Sequence, residues 1–333
     1  MENVILYGNG LNLLSNNLSW KDLLTNISSS ELIEEIPYTM LYESIILDYD
    51  YYKHIPIVTK DNYILTTADN KELHVIDKPR EEVIKENIKN ELELLKPNFT
   101  YDRLGKLDVE HYITTNYDKT LHSVLESHKF DVIEKNNSES TYSIKRYTKF
   151  KDFDNQEEKN IWSMHGSIDC PNSIMLGLDH YCGSVGKIND YLKGKYEYTK
   201  NGKKNQVPDI ITRLTDEKMH SPLSWIDLFF THDIHIIGFG LQYEEVDLWW
   251  ILNKRQRYKR KFAHENLINN QIFYYGNVDC NKEKLLNKFG VQVYSSNSKK
   301  TKDYTEEYQH YINVIESYIN NSTSKSIPYT KKQ

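Results

Sequence analysis

Cysteine is scarce in this sequence. Its 333 residues include only Cys170, Cys182 and Cys280, and no two of them form a Cys-x-x-Cys pair. Disulfide-stabilised secreted domains carry more cysteines, in even number, so we exclude a disulfide framework and expect a cytoplasmic protein. Structural zinc sites use four nitrogen or sulfur ligands, commonly from paired cysteines. We therefore expect no zinc, and we find no motif for another metal.

Long apolar runs and a strong net charge are also missing. No stretch approaches the roughly 18 apolar residues of a membrane-spanning helix. The apolar run that begins at Val4 soon meets Gly8, so it predicts a buried strand and not a signal peptide. The net charge of −6 gives no general attraction for nucleic acid, and the basic run Lys254–Lys261 is typical of a solvated helix end. We expect neither membrane contact nor direct nucleic-acid binding.

Tyrosine, by contrast, is abundant, with 26 residues. Its ring buries apolar area while its hydroxyl stays polar, so tyrosine-rich surfaces suit interfaces. The same composition also fits tyrosines that are divided between core and surface, and both interpretations stay open. The hydrophobic share of 38% and the charged share of 27% are typical of a globular protein.

Short apolar runs rich in β-branched and aromatic residues alternate with segments of helical spacing. This alternation predicts an α/β fold with a Rossmann-like, doubly wound parallel sheet, whose strands are buried on both faces. The predicted strands are Val4–Tyr7, Glu110–Thr114, Ile161–Met164, Ile234–Ile237, Gln271–Tyr275 and Val291–Tyr294. The predicted helices are Trp20–Thr25 with Ser19 as its cap, Pro79–Leu95, Lys119–Ser127, Pro222–Phe230, Tyr243–Leu252, Lys282–Lys288 and Tyr304–Ile319.

Two stretches interrupt the alternation and predict a smaller, mainly helical inserted region. Residues 28–100 are mostly helical in pattern, and residues 128–205 are polar with strand-like pieces around Tyr142–Tyr147. Residues 1–320 are expected to form one domain that carries these helical or irregular insertions. Only a helix and a tail are expected after the last strand, and residues 321–333 lack apolar spacing, which predicts disorder.

Two predicted strands end in glycine turns. These turns are Tyr7–Asn12 and Ile236–Leu241, each with two glycines two positions apart. Such glycines let backbone amides approach a pyrophosphate, and the following helix N-terminus favours negative charge. The first turn lacks the third glycine of the dehydrogenase fingerprint, so alone it is more typical of a structural turn. Glu244, Glu245 and Asp247 behind the second turn are ordinary partners of a helix dipole.

Two other strand ends carry polar side chains. Ile113–Asp118 lies where ligands bind in open α/β sheets, so Asn116 and Asp118 could reach ribose hydroxyls, or could merely cap the next helix. Trp162–Ser167 presents His165 at a strand end, where a general base would be placed, and histidine titrates near neutral pH. A lone histidine is as often structural, so both interpretations stay open for it.

Together and in this order, the four segments resemble the sirtuin-like superfamily, in particular the sirtuin-like NADases of bacterial antiphage defence. Gly8–Leu24 looks like the family's nucleotide-binding opening with its Trp-x-x-Leu-Leu helix. Thr115–Asp118 with His122 is similar to the sirtuin Gln-Asn-Ile-Asp segment and its following histidine. His165 and the glycine after it match the catalytic histidine motif, and Gly238–Gly240 resembles the later ribose- and phosphate-binding turn.

The resemblance implies one catalytic domain that cleaves the nicotinamide–ribose bond of NAD⁺, with NAD⁺ as substrate and no cofactor. Asn116 would hold the ribose and position a water. His165 would accept a proton from a ribose hydroxyl or from that water. The implied NAD-binding residues are Gly8, Asn9, Gly10, Asn12, Thr115, Asp118, Gly238, Phe239, Gly240 and Asn277, the last of which matches a late adenosine-contacting asparagine poorly.

The sequence departs from the protein deacetylases of this superfamily. It lacks their four zinc cysteines, and Thr115 stands where many sirtuins have a glutamine. Both differences resemble the defence NADases more than the deacetylases, while the long insertions align with no family. An NAD-dependent protein deacylase, a non-catalytic nucleotide-sensing module and another Rossmann-like nucleotide hydrolase stay open as alternatives. The product, ADP-ribose or a cyclised form, also stays open.

An unrestrained NADase would drain its host's NAD⁺, so the resemblance also implies an off state. Relatives often join the catalytic domain to a sensor or pair it with a separate protein. We therefore expect a homo-oligomer, a regulatory partner such as a HerA-type ATPase or an Argonaute-like protein, or both. The expected role is that of an antiphage effector that acts by NAD⁺ depletion in abortive infection.

Overall fold

Helices and strands alternate along most of the chain. The computed structural model describes residues 1–16, 19–27, 33, 35–47, 57–59, 62–66, 72–74, 80–137, 139, 141–200, 202–216, 221–296 and 304–324. The strands are β1 (Asn3–Tyr7), β2 (Ile57–Thr59), β3 (Asn62–Thr66), β4 (Glu72–His74), β5 (His111–Thr114), β6 (Asp131–Asn136), β7 (Tyr147–Asp152), β8 (Glu157–Ser163), β9 (Glu197–Lys200), β10 (Lys203–Gln206), β11 (Asp233–Ile237), β12 (Ile272–Tyr275) and β13 (Val291–Tyr294). The α-helices are α1 (Leu13–Asn16), α2 (Trp20–Ile27), α3 (Tyr38–Leu47), α4 (Arg80–Leu92), α5 (Phe99–Gly105), α6 (Thr120–Ser127), α7 (Leu178–Leu192), α8 (Ile210–Thr215), α9 (Trp225–Thr231), α10 (Val246–Lys261), α11 (Cys280–Lys288) and α12 (Tyr304–Ser324).

The central sheet has eight strands in the order β13-β12-β11-β1-β5-β8-β7-β6. The first six are parallel to one another, and β7 and β6 continue the sheet as antiparallel strands. Each of the six strands predicted from the sequence lies in the parallel part. The prediction of a Rossmann-like, doubly wound sheet is therefore confirmed.

Strand β1 shows why the inner strands of the sheet are mostly apolar. Val4 and Leu6 face a core that includes side chains of α7, α9 and α10. Ile5 and Tyr7 face the opposite core, which includes side chains of α5, α6 and α12. Successive side chains of a strand point to opposite faces, so helices on both faces require apolar residues at every position. Burying each such side chain contributes roughly 1.5–3 kcal/mol.

The inserted region at residues 28–100 is helical only in part. It contains α3, α4 and the start of α5, but also an antiparallel sheet of β2, β3 and β4. Strands of three to five residues are too short to produce a clear periodicity in the sequence. Apolar side chains of α2, α3 and α4 form a third core with Tyr117 and residues of the 168–176 segment. This core places the inserted helices beside the carboxyl ends of the central strands.

Residues 128–205 differ more from the expected helical or irregular insertion. They supply three strands of the central sheet, β6, β7 and β8, together with the 15-residue helix α7. The strand-like pieces around Tyr142–Tyr147 lie mostly before β7, which begins at Tyr147. Strand β6 is exposed along nearly its whole length. Antiparallel strands at a sheet edge can face water and then lack the apolar run that revealed the buried strands.

The predicted helices are present with shifted ends. The Ser19 cap is confirmed, because the amide of Asp22 donates to Ser19 Oγ at 3.1 Å and the amide of Ser19 donates to the Asp22 carboxylate at 3.0 Å. The start predicted at Pro79 lies outside the described residues. Helix α12 continues to Ser324, so the disorder expected from residue 321 is wrong for residues 321–324, and residues 325–333 lie outside the described residues. Once the buried turns of a helix have formed, each further residue adds one backbone hydrogen bond. The helix therefore continues past its last apolar position.

Helix α10 runs beyond the predicted Leu252 and includes the basic run. Arg255 in this run is buried and donates to the backbone and side chain of Asn270, so it is structural and not solvated. Within the described residues, no helix is both long and apolar enough to cross a membrane.

The tyrosines are divided between core and surface. Exposed examples include Tyr38, Tyr243, Tyr294 and Tyr304. The buried tyrosines are Tyr7, Tyr42, Tyr101, Tyr112, Tyr117, Tyr181, Tyr191, Tyr196, Tyr274, Tyr275 and Tyr311. The abundance of tyrosine therefore serves the interior to a large extent, where hydroxyls such as those of Tyr101 and Tyr191 join buried hydrogen-bond networks.

Candidate functional site

A cavity of about 680 Å³ lies at the carboxyl ends of the central strands. Its lining comes from the ends of β8, β5, β1, β11 and β12, with further side chains from α2, α3, α7 and α12. Neighbouring strands are about 4.8 Å apart, so the four steps from β8 to β12 span roughly 19 Å. Ligands bind at this edge in open α/β sheets. The cavity is long enough for an extended dinucleotide.

The two glycine turns meet in the middle of this cavity. The amide of Gly10 donates to the carbonyl of Gly238 at 2.7 Å. Gly238 has a φ of +63°, and a Cβ there would lie 2.6 Å from the Leu11 side chain. A Cβ at Gly8 would lie 2.6 Å from the ring of Phe239. These glycines are therefore required by the close packing of one turn against the other.

The second turn also offers hydrogen-bond donors. Within the described part of the chain, the amides of Phe239, Gly240 and Leu241 have no hydrogen-bond acceptor. The Lys282 ammonium donates to the carbonyl of Gly240 at 2.6 Å and brings positive charge to the turn. Unpaired amides beside a cation suit the phosphates of a nucleotide.

Behind the first turn, side chains form a buried hydrogen-bond network. Asn12 Nδ2 donates to Asp118 at 2.9 Å, and the Tyr101 hydroxyl donates to Asn12 Oδ1 at 2.7 Å. Asn116 Nδ2 donates to the Tyr101 hydroxyl at 3.3 Å. Asp118 also accepts the amide of Thr120 at 2.9 Å and so caps α6. The capping role that the sequence left open thus belongs to Asp118 and not to Asn116.

Asn116 has one unused group. Its Oδ1 is buried without a hydrogen-bond partner, although the side chain is only 3% exposed. Leaving a buried polar atom unpaired costs about 1–3 kcal/mol. A ligand group that reached this oxygen would recover that free energy, which is a feature of binding sites more than of structural amides.

His165 is held by two carboxyl groups from the start of α10. Its Nε2 lies 2.9 Å from Asp247 Oδ2, and its Nδ1 lies 3.8 Å from Glu245 Oε2. Asp247 Oδ2 also accepts the hydroxyl of Ser184 at 3.2 Å, and Glu245 accepts the hydroxyl of Tyr181 at 3.1 Å. His165 is 2% exposed and Asp247 is fully buried.

The surroundings shift the pKa values of His165 and Glu245, which both line this end of the cavity. Burial alone would lower the pKa of His165, but the nearby Asp247 and Glu245 outweigh burial and raise it above its ordinary value. Burial raises the pKa of Glu245 to about 7, with a further increase from Asp247 and an opposing effect of His165. Glu245 therefore titrates near neutral pH beside a histidine whose pKa is raised, an arrangement that suits acid–base catalysis.

The same cluster is close enough to share a metal ion. Ligand atoms of His165, Glu245 and Asp247 all lie within 4.8 Å of one another, the one such group that the described residues contain. The direct contact between His165 and Asp247 is a hydrogen bond. The Asp247 carboxylate accepts two further hydrogen bonds, from the Ser184 hydroxyl and from the amide of Leu248. This geometry fits proton transfer.

Comparison with known proteins identifies the family. A family model described as a SIR2-like domain matches residues 110–294, which is more than half of the chain. The chain belongs to the SIR2-like family. No curated protein matches it. SIR2-like domains are in general NAD-dependent enzymes, so NAD⁺ as a ligand fits this cavity. The sirtuin-like part of the prediction is thereby confirmed.

The SIR2-like match includes most of the predicted site but not all of it. It contains Thr115–Asp118, His165, Gly238–Gly240 and Asn277, whereas the turn at Gly8–Gly10 precedes it. Among the predicted residues, the cavity is lined by Asn9, Gly10, Thr115, His165, Gly238, Phe239, Gly240 and Asn277. Gly8, Asn12, Asn116 and Asp118 do not line it and lie in the layer behind.

His122, which the resemblance had paired with a sirtuin histidine, does not line the cavity of the SIR2-like domain. Its ring packs against Phe150 at 5.5 Å, and burial lowers its pKa to about 3. It is a neutral core histidine.

The far end of the cavity brings the predicted Asn277 together with residues of α12 that sequence reasoning did not select. Asn277 Nδ2 and the Tyr311 hydroxyl both donate to Glu307 Oε1, each at 2.8 Å. The rings of Tyr304 and Tyr308 stack there with centroids 6.5 Å apart. Helix α12 supplies four of these groups, Tyr304, Glu307, Tyr308 and Tyr311, but lies far along the chain from β12. Only the tertiary contact of α12 with the strand ends reveals this set.

Glu245, Asp247, Tyr181 and Ser184 were also missed as site residues of the SIR2-like domain. The sequence shows the two acidic residues at a helix start, where they suit the helix dipole without any ligand. The usable signal was their position directly behind a glycine turn at a strand end. Their contact with His165 could not be inferred, since β1 and β5 separate β11 from β8 in the sheet.

Proposed function

We propose that this SIR2-like domain is a NAD⁺ glycohydrolase that cleaves the bond between nicotinamide and ribose. The observation that carries the proposal is the position of the His165 cluster. It occupies one end of a cavity whose middle offers backbone amides and whose other end offers stacked tyrosines beside a carboxylate. An extended dinucleotide would place its reactive ribose at His165, its phosphates at the glycine turns and its adenosine near Asn277.

The chemistry suits these groups. Cleavage of a glycosidic bond passes through an oxocarbenium-like transition state, which carboxylates beside the sugar stabilise. Nicotinamide leaves as a neutral molecule, so no strong general acid is needed. The protein must orient the ribose and activate a nucleophile. We assign the first role to Asn116, whose unpaired oxygen would act from the layer behind the cavity lining, and the second to His165, which lines the cavity.

Nicotinamide release from NAD⁺ by the purified protein tests the proposal directly. Release without any added peptide is expected, with ADP-ribose or a cyclised form as the second product. Release that requires an acyl-lysine peptide would instead favour the deacylase alternative. Calorimetric binding of NAD⁺ without turnover, in every assembly state tested, would favour a nucleotide-sensing module.

We predict that the protein holds no stoichiometric structural zinc. The reason is that Cys170, Cys182 and Cys280 are free thiols, and the last two are exposed. A tetrahedral structural site commonly takes about four ligands from cysteines and histidines that lie close together. Elemental analysis of protein purified in metal-free buffer should find far less than one zinc per chain. One tightly bound zinc per chain would contradict this prediction and weaken the argument against a deacylase.

We also predict that activity is gated by assembly, in keeping with a role as an antiphage effector that depletes NAD⁺. Because free activity would drain the host's NAD⁺, the isolated protomer should be inactive or weakly active. Homo-oligomerisation, or a partner such as a HerA-type ATPase or an Argonaute-like protein, should activate it. Light scattering and nicotinamide release, measured together on the protein alone and with candidate partners, test this. A fully active monomer would refute it.

A further inference from the structure

Asp247 and Glu245 flank His165, and the proposed function assigns neither of them a part in proton transfer. We propose that the attacking water binds between Nδ1 of His165 and the carboxyl group of Glu245, and that Asp247 is the positioning residue that directs Nδ1 to this place. This inference rests on the proposed function and assigns the proton-transfer groups of that same site.

The Asp247 carboxylate determines which nitrogen of His165 carries the proton. Three donors converge on the Asp247 carboxylate: the His165 ring, the Ser184 hydroxyl and the amide of Leu248, at 2.9, 3.2 and 2.8 Å. A carboxylate that is fully buried and held by donors acts as an acceptor. In neutral His165, the proton must therefore reside on Nε2, and Nδ1 is left as the acceptor.

The carboxyl group of Glu245 faces Nδ1 of His165. The nearest carboxyl oxygen, Glu245 Oε2, lies 3.8 Å away, which is too far for a direct hydrogen bond. One oxygen atom can lie within hydrogen-bond distance of both atoms at this separation. His165, Glu245 and Tyr181 all line the cavity, whereas Asp247 does not. The gap is therefore open to a molecule in the cavity, and Asp247 acts only through the histidine.

Tyr181 holds the gap between His165 and Glu245 in place. The Tyr181 hydroxyl donates to Glu245 Oε2 at 3.1 Å, and the Tyr181 ring packs edge-on against His165 with centroids 5.3 Å apart. Both contacts come from α7, while Glu245 and Asp247 come from the start of α10. Two packed helices thus define the position of the water relative to both acceptors.

The reaction follows from this geometry. The bond between ribose C1′ and the nicotinamide nitrogen breaks, and its electron pair leaves with neutral nicotinamide. The water oxygen bonds to C1′ while its proton passes to Nδ1 of His165. The resulting imidazolium is stabilised by Asp247 and later releases the proton to solvent. The balance is NAD⁺ plus water giving ADP-ribose, nicotinamide and one proton.

The expected pH dependence has a definite sign. His165 is active as a base only when neutral, so the acidic limb of the kcat/KM profile reports its pKa. The titratable groups that face His165 are Asp247, Glu245 and Tyr181, and Tyr117, which follows β5, interacts electrostatically with the two carboxyl groups. Asp247 and Glu245 raise the pKa of His165. Removing the Asp247 charge should therefore move the acidic limb to lower pH.

The experiment uses the full chain with ¹⁵N-labelled histidine. The His165 resonances are assigned by comparison with His165→Ala. The neutral wild-type ring should carry its proton on Nε2, and in Asp247→Asn its pKa should fall. We expect kcat for nicotinamide release to drop by about 10²- to 10⁴-fold in Asp247→Asn with little change in KM. Glu245→Gln should also lower kcat and remove an ionisation from the pH profile.

Two matched variants and the wild-type spectrum keep the test decisive. Asp190→Asn changes an exposed aspartate of α7 and should leave the His165 signals and the activity unchanged. Ser184→Ala removes one donor to Asp247 but keeps its charge, so its effect should stay below about tenfold. If Asp247→Asn does not fold, the wild-type tautomer and Ser184→Ala still provide the answer.

A neutral His165 with its proton on Nδ1, or an unchanged His165 pKa in folded Asp247→Asn, would overturn the inference. Absence of nicotinamide release from every form would count against the proposed function instead.

Discussion

Replacement of His165 by alanine is expected to lower nicotinamide release from NAD⁺ by about 10²- to 10⁴-fold, the usual cost of losing a positioned general base. The fold should persist, since the ring contacts other polar groups at a strand end and not the apolar cores. NAD⁺ binding should be largely kept, because the phosphates would be held by the turn at Gly238–Gly240. Nicotinamide release, calorimetric NAD⁺ affinity and melting temperature are the three measurements.

The same measurements on Asn116→Ala should also show a large loss of activity, because misplacing the ribose costs as much as losing the base. Its effect on stability should be small, since Asp118 caps α6 and Asn116 contributes one long hydrogen bond to Tyr101. If Asn116 served only the hydrogen-bond network, the alanine variant would keep its activity. Turnover near the wild-type rate in either variant would show that the active site is wrongly assigned.

His122→Ala is the matched control for the histidine change. His122 is as buried as His165 but packs on Phe150 and lies away from the cavity. Its loss should lower stability by leaving a cavity in the core, while the folded fraction should keep its kcat. A large fall in kcat for this variant would indicate that core packing, and not proton transfer, explains the effect at His165.

The second large effect is expected for Gly238→Ala at the meeting point of the two glycine turns. A left-handed φ of +63° costs a residue with a Cβ about 1–2 kcal/mol. The new Cβ would also lie 2.6 Å from the side chain of Leu11, which is fully buried, and such overpacking costs about 1–3 kcal/mol. We expect both terms to lower the free energy of unfolding and the displaced turn to weaken NAD⁺ binding by tenfold or more, corresponding to about 1.4 kcal/mol.

Gly202→Ala separates backbone strain from contact. Gly202 has a φ of +74°, but a Cβ there would have no atom within 4 Å. This variant should show only the cost of the left-handed backbone and unchanged NAD⁺ affinity. Denaturant unfolding and calorimetry on both variants test the comparison. Equal losses of stability, with NAD⁺ affinity unchanged in both, would mean that the contact between the two turns has no special role.

The parallel part of the fold could be predicted from the sequence, and the edge of the sheet could not. Strands such as β1 and β11 are buried on both faces, so most of their residues are apolar and the run is visible without further information. Strand β6 faces water, and its polar residues were included in an irregular insertion. The short strands of residues 57–74 were missed for a different reason, since three to five residues cannot establish a period.

The candidate site divides in the same way. A glycine turn or a histidine at a strand end is a local feature, because the carboxyl ends of all parallel strands meet at one edge of the sheet. His165 and Gly238–Gly240 could therefore be selected from the sequence alone. Whether a side chain faces the cavity depends on its rotamer and its neighbours. For that reason Asn12 and Asp118, selected by the same rule, lie in the hydrogen-bond network behind the first turn.

By itself, then, the sequence determined which strands form the parallel part of the sheet, where their ends meet, and that a histidine and two glycine turns lie there; β13, predicted to be buried, is largely exposed because it is the edge strand. Only the tertiary structure decided which charges surround that histidine. Asp247 and Glu245 are about 80 positions from His165 and begin a helix whose strand is not adjacent to β8. An acidic residue at a helix start is stabilised by the helix dipole whether or not a partner faces it. Its local pattern therefore carries no information about that partner, which depends on how α7 and α10 pack over the strand ends.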